Sequence, residues 1–314
     1  HHWIAKSVPD DEYVVMPHPQ GIDHFDLDDA LGAQKNHMCS ADMGEFIRDN
    51  HLDLSLNGEL NPREAFGSHD DSDHVYNTPR AWFMERYLNP NTKKWDGPDA
   101  DYTPESDDIP WCMEPEKKIT VEDGKYGLSS HYQGTIYDPY GGSGDGLQRG
   151  RYRSIGINRN DFLSLIQMRP DQPEDVSVIQ WIAFASNAFN VMVPFYPGVS
   201  TTPEYLSNTG KDVSTDNFYW SSRLVAAMAD ASYSKSLFHI ERYQLAVASK
   251  SHALIHQYDK ALKDITDQAE RQKIREEANQ AVADMVKEET ASVMDKVLFE
   301  LSCQMKNAFS RSDA

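Results

Sequence analysis

The chain has 314 residues, 39% hydrophobic and 25% charged, which is enough apolar content to bury a core in one large domain or two ordinary ones. Fifty acidic against 30 basic side chains give a formal charge of -20. That balance excludes nonspecific nucleic-acid binding, which needs a cationic face, and argues against docking on anionic membranes.

No apolar run approaches the roughly 20 residues of a membrane-spanning helix. The isolated thiols Cys39, Cys112 and Cys303, none in a C-x-x-C arrangement, point to a reducing, cytoplasmic setting. Residues 3–8 read as a strand, Pro9-Asp10-Asp11-Glu12 as a turn, and residues 13–16 as the returning strand of a β-hairpin. From about residue 17 to 130 the chain is rich in Asp, Asn, Pro and His, with short helical stretches at 41–50 and 79–88. The first 120 residues hold 25 acidic and 10 basic side chains, so most of the charge imbalance lies there. Such a region reads as a surface insertion with few regular elements.

Within it, Ser68-His69-Asp70-Asp71-Ser72-Asp73-His74 offers ligand types for a cation. It lacks the glycine and terminal Glu of a calcium loop and a helical His pair, so it reads as a hydrated acidic loop. Cys39 reads as a small buried hydrophobe rather than a nucleophile. The glycines of Gly141-Gly142-Ser143-Gly144-Asp145-Gly146 form a turn-rich loop, not a phosphate loop, because no Gly-Lys-Ser/Thr follows.

Four strand patterns come next, at residues 152–157, 162–168, 178–185 and 191–196. Pro194 suits the last to an edge. The connections between the second, third and fourth are too short for crossover helices, which predicts an antiparallel sheet. From Ser221 the pattern turns helical. Leu254, Tyr258, Leu262 and Ile265, and later Val293, Val297, Leu301 and Met305, recur at three- and four-residue steps. No proline interrupts this last third, so two or more long helices are expected. Strands followed by helices give an α+β class. Arg223 opens the apolar run Leu224-Val225-Ala226-Ala227-Met228, where an arginine is either paired with a carboxylate or carbonyls, or serves a site as a permanently charged donor.

Several runs occur in one order. They are Met16-Pro17, Gly21-Ile22-Asp23, Phe25-Asp26, residues 138–140, Gly156-Ile157-Asn158-Arg159-Asn160, Ser186-Asn187-Ala188-Phe189-Asn190, Pro194-Phe195-Tyr196 and Ser214-Thr215-Asp216-Asn217-Phe218-Tyr219-Trp220. Together they resemble the bacterial cysteine-dependent dipeptidases of the N-terminal nucleophile hydrolase superfamily, relatives of bile salt hydrolase, penicillin V acylase and the secernins. The resemblance covers nearly the whole chain. It implies a four-layer αββα sandwich and hydrolysis of dipeptides by a cysteine at the mature N-terminus. The α-amino group of that cysteine acts as the base, and amide side chains and backbone N–H groups stabilise the oxyanion. No metal or cofactor is implied.

In that family the His-His-Trp run lies well inside the chain, behind the nucleophile, whereas here it stands at His1-His2-Trp3. The expectation is therefore a C-terminal portion that lacks the N-terminal strands and is inactive alone, since none of Cys39, Cys112 and Cys303 matches the nucleophile. Two positions carry over. Arg223, in Ser221-Ser222-Arg223-Leu224-Val225, resembles the arginine that serves the site. His18 stands where relatives present an asparagine to the substrate. The expected organisation is a sheet-containing part at 1–220 with the acidic insertion at about 25–130, and a helical part at 221–314 whose exposed helices leave self-association open. An amidase for another small amide and a noncatalytic binding protein are the alternatives to a dipeptidase.

Overall fold

The structure, a computed structural model, describes residues 1–18, 21–52, 60–68 and 70–306. It divides into two compact units. The first comprises residues 1–120 and 132–155, and the second residues 121–131 and 156–314. Both mix helix and strand, as an α+β chain does.

The first unit contains β1 (Ile4–Lys6), β2 (Tyr13–Val14), α1 (Leu27–Leu31), β3 (His37–Cys39), α2 (Met43–Asp49), α3 (Pro62–Phe66), α4 (Asp73–Tyr76), α5 (Thr78–Leu88) and β4 (Cys112–Met113). The two helical stretches read from the sequence are α2 and α5. The hairpin is not formed. β1 pairs antiparallel with β3, Ile4 opposite Cys39, and β2 pairs with β4, Tyr13 opposite Met113. The reason is that the two strands serve different cores. Ile4 and Val8 pack against Phe25, Ala30, Met43 and Ile47, whereas Val15 packs with Met113 against Trp82, Phe83, Trp95 and Tyr132.

Local polar bonds make the short elements of this unit possible. Asp26 caps α1 by accepting the Asp29 N–H at 2.9 Å. Asp29 in turn accepts the N–H groups of Lys35, Asn36 and His37, each at 2.9 Å, and these bonds hold its carboxyl down at about 2. In the acidic loop, Ser72 donates to Asp70 and Asn77 donates to Asp73, while His74 lies 3.0 Å from the more distant Asp107. His69 falls outside the described residues. Glu85 on α5 has no accessible surface, and neither carboxylate oxygen finds a hydrogen-bond partner among the described residues. Burial pushes its carboxyl up to about 8, with Arg63 opposing the shift.

Residues 152–157 do not form the expected strand. Tyr152 is buried and donates its hydroxyl to Glu105 at 2.8 Å, and the Arg153 N–H goes to the Val75 carbonyl. In the second unit, the Gly156 N–H goes to the Ser130 carbonyl. These backbone donors are taken by loops and cannot serve a ladder.

The second unit contains α6 (Val121–Leu128), β5 (Phe162–Met168), β6 (Val178–Phe184), β7 (Val193–Phe195), α7 (Glu204–Ser207), α8 (Phe218–Ala231), α9 (Tyr233–Leu262) and α10 (Gln268–Ser302), with a 3-10 turn at Glu174–Val176. β5, β6 and β7 form one antiparallel sheet in that order, as their short connections predict. Ile179, Trp181 and Ala183 of β6 point to one face with Leu163 and Leu165, where Tyr258, Leu262, Ile274 and Ala278 cover them. The buried residues of α10, among them Arg275, Asn279, Val282, Val286, Val293 and Val297, recur at steps of three, four and seven, the stripe that packs against α9.

Polar anchors fix these helices to the sheet. Asn279 accepts the Tyr196 N–H at 2.8 Å and donates to its carbonyl at 3.0 Å. Arg169 grips Asp259 of α9 through its two terminal guanidinium nitrogens, at 2.6 and 3.2 Å.

A candidate active site at one end of the three-stranded sheet

Phe162 of β5 stands opposite Phe184 of β6, so Asp161 and Ala185 sit side by side where the two strands end. The Ala185 N–H donates to the Asp161 carbonyl at 3.0 Å. Ala185 has φ +64, a left-handed conformation uncommon for a residue with a Cβ, and it sends the chain abruptly out of the sheet.

A tight turn follows. The Phe189 and Asn190 N–H groups both reach the Ser186 carbonyl at 3.1 Å. The Asn190 side-chain amide donates back to the Phe184 carbonyl at 2.6 Å, and lies 3.2 Å from Asn187 Oδ1. Asn187 and Asn190 are each 1% exposed, and Asn190 Oδ1 has no partner among the described residues.

Two side chains from helices hold the turn from outside. Lys125 of α6 donates to the Asn187 carbonyl at 2.6 Å. Gln244 of α9 donates to the carbonyls of Ala188 and Asn190 at 3.2 and 3.1 Å. The carbonyls of the turn are thus engaged, while the N–H groups of Ser186, Asn187 and Ala188 have no acceptor among the described residues. Peptide donors held in this way can meet a developing negative charge without reorganising.

Arg223 joins this end of the sheet. Asn217 caps α8 by accepting the Trp220 N–H at 2.8 Å, so the helix begins at Phe218, three residues before the apolar pattern alone suggests. Phe218, Ser221, Ser222, Val225 and Ala226 face the core. Tyr219 and Arg223, four residues apart, therefore share the flank of the helix. The Arg223 guanidinium lies over the Tyr219 ring at 5.9 Å and 3.5 Å from Asp161 Oδ1. Tyr219 donates its hydroxyl to the same carboxylate at 2.9 Å, and partial burial together with that bond raises the phenol above its ordinary value. At 37% side-chain exposure Arg223 is neither sealed in a core nor adrift in solvent. Of its two sequence readings, the structure shows the pairing with a carboxylate.

His18 lies in the first unit, exposed, four residues past β2. Cys39 is buried on β3, and burial pushes its thiol up. Cys112 on β4 is pushed up to about 11, chiefly by burial and then by Glu12. Cys303 is exposed just beyond α10. An activated thiolate has a depressed pKa, whereas the shifts of Cys39 and Cys112 run the other way. Among the described residues no three His, Cys, Asp or Glu side chains gather closely enough to hold a metal ion, and no helix is long and apolar enough to cross a membrane.

Lys125, Asp161 and Gln244 were not legible as site residues. They lie 62, 26 and 57 positions from Asn187 in sequence, and no local motif links them to it. Asn187 and Asn190 do stand in a run that carries the family resemblance.

The model of peptidase family C69 matches residues 1–246, and the chain belongs to that family of cysteine-dependent dipeptidases. A dipeptidase of Bifidobacterium longum (strain NCC 2705) is 48% identical over 352 residues, covering 100% of this chain and 66% of that protein. A probable dipeptidase A of Streptococcus pyogenes serotype M3 is 44% identical over 314 residues, covering 100% of this chain and 64% of its own length. Dipeptidase A of Lactobacillus helveticus is 35% identical over 300 residues, covering 96% and 60%. The chain thus spans just under two thirds of the length of the curated relatives it matches.

Proposed function

We propose that the whole protein to which this chain belongs is a dipeptidase of the N-terminal nucleophile type. Its substrates are dipeptides, and it cleaves them through a cysteine thiolate and an acyl-enzyme that water releases. One observation carries the reading: every residue of this chain aligns, at 48% identity, with a protein named dipeptidase. In this reading Arg223 is the catalytic cation beside the scissile carbonyl, and His18 contributes to substrate binding. The nucleophile is not Cys39, Cys112 or Cys303, since two are held protonated by burial and the third stands at the end of a helix. This chain by itself is accordingly inactive. The fold of the whole protein is the αββα sandwich. Its support is the three-stranded sheet covered by helices on one face while Phe162, Ile166 and Met168 of β5 remain exposed, as a sheet awaiting a second layer would show.

The test uses the whole protein with its mature N-terminal cysteine intact or changed to alanine, assayed against dipeptides and against acylated amines. The reading expects dipeptide hydrolysis that the alanine variant loses. Activity that survives this substitution refutes the mechanism, and cleavage of the acylated amine in preference to dipeptides refutes the substrate class.

A further inference from the structure

Lys125 is a cation that the fold places against the site and that the proposed mechanism does not use. Gly124 lets α6 lie directly on β5: a Cβ there would come 2.6 Å from Leu165 Cδ1. That approach delivers the next residue, Lys125, to the end of the sheet. The residue is half-buried, and its Nζ lies 2.6 Å from the Asn187 carbonyl and 2.6 Å from Ser129 Oγ. No carboxylate pairs with it among the described residues, and desolvation alone pulls its ammonium down to about 7. A lysine kept in so unfavourable a place without a counter-ion marks a position where its donors matter, because an apolar side chain of that length would be less costly there.

Those donors act on the turn. The Asn187 carbonyl is the one peptide oxygen of the 187–190 stretch that α6 holds, and Gln244 holds two others from α9. With its carbonyls pinned from both sides, the peptide planes of 186–188 cannot rotate to offer oxygen instead of N–H to a substrate.

We propose that Lys125 is a positioning residue of the active site, fixing the Asn187 peptide so that the turn presents its N–H groups and the Asn187 amide to the substrate carbonyl. Lys125 acts through the turn and does not touch the substrate. The kinetic part of this inference rests on the dipeptidase reading, and the structural part does not.

Two measurements test it. In the whole protein, kcat and KM for a dipeptide are compared among wild type, Lys125→Met and Lys125→Arg. In the same whole protein, hydrogen exchange of the Phe189 and Asn190 amides, both bonded to the Ser186 carbonyl, is followed for wild type and Lys125→Met. The expected result for the methionine variant is a fall in kcat of about 10- to 100-fold with KM changed by less than about threefold, as misplacement of a catalytic donor costs. The turn amides should exchange about tenfold faster while those of α9 and α10 keep their protection. Arginine, which retains donors, should recover part of kcat. Unchanged kcat, or a raised KM at constant kcat, overturns the inference; so does unchanged exchange in the turn. A wild-type protein without dipeptidase activity refutes the dipeptidase reading, and the exchange measurement then decides on Lys125 alone. Should Lys125→Met not fold, Lys125→Gln, a shorter donor, is judged by the same readouts and limits.

Discussion

Replacing Asp175 removes the carboxylate that, among the described residues, neutralises two buried guanidinium groups. Arg271 donates to it from Nε and Nη2, each at 2.7 Å, and Arg275 donates from Nη1. The two arginines are 5% and 6% exposed, and the carboxylate is 22% exposed. Asp175→Ala leaves both cations inside α10 without a counter-ion, a change that costs about 3–5 kcal/mol. Arg271 keeps its bonds to the Leu262 and Ile265 carbonyls at 2.6 and 2.9 Å, which places the loss near the lower end, about 3 kcal/mol. Against a total stability of about 5–15 kcal/mol this is a large fraction.

The assay is urea unfolding at pH 7 followed by far-UV circular dichroism, with Glu277→Ala as the control. Glu277 pairs with Lys273 at 3.8 Å on the surface of the same helix, and its loss should cost no more than about 1 kcal/mol. The Asp175 carboxyl is held below the ordinary carboxylate range, first by its bonds from Arg271. Its contribution is therefore complete above the ordinary carboxylate pKa and is lost as pH falls through the lowered folded value. The gap between wild type and Asp175→Asn should accordingly narrow only on the acid side. A variant no less stable than Glu277→Ala at pH 7 would refute the reasoning.

Other parts of the molecule yield checks of the same kind. Gly156→Ala builds a Cβ 2.2 Å from the Ser129 carbonyl oxygen, so it should displace the end of α6 and lower the thermal midpoint measurably; an unchanged midpoint contradicts that close approach. Glu85 has its folded pKa raised to about 8 from 4.5, so its favourable contribution is complete below the unfolded value and disappears as pH rises toward 8. Glu85→Gln should thus gain on wild type as pH rises from 5 toward 8, and parallel pH–stability curves would contradict this burial. With a chromogenic disulfide reagent at pH 8, Cys303 should react well before Cys39 and Cys112, whose thiols burial holds protonated; simultaneous reaction of all three in folded protein would show those sites to be open.

Where the chain's own pattern determines the structure, the sequence announces it. Val293 and Val297, four residues apart, join the buried stripe of α10, whereas Met305 of the same pattern lies exposed beyond the helix, and the tight spacing of residues 162–196 becomes an antiparallel sheet. Partner choice is different in kind. The turn at Pro9-Asp10-Asp11-Glu12 is a genuine local signal, but it does not decide that β1 finds β3 and β2 finds β4, because that depends on which aromatic core each strand serves. Residues 152–157 carry strand-forming side chains, yet their backbone donors are claimed by the Val75 and Ser130 carbonyls, contacts invisible to any local pattern.

The candidate site divides along the same line. Arg223 is legible as a charge placed at the head of an apolar helix, and the amide-rich 186–190 run as a departure from a core strand. Asp161, Lys125 and Gln244 come to that turn only through the pairing of β5 with β6 and the packing of α6 and α9. Their individual sequence surroundings are unremarkable for a solvated loop or helix face.

In the proposed mechanism Arg223 is the charge that serves amide hydrolysis at the end of the sheet. Its direct test is kcat/KM for a dipeptide in the whole protein with Arg223 intact and with Arg223→Ala, each shown to be folded by its thermal transition. The expected result is a loss of about 100-fold or more, carried mainly by kcat, as for removal of a preorganised charge at the reacting carbonyl. Activity retained to within about twofold of wild type, a difference of only ~0.4 kcal/mol in transition-state stabilisation, would contradict it.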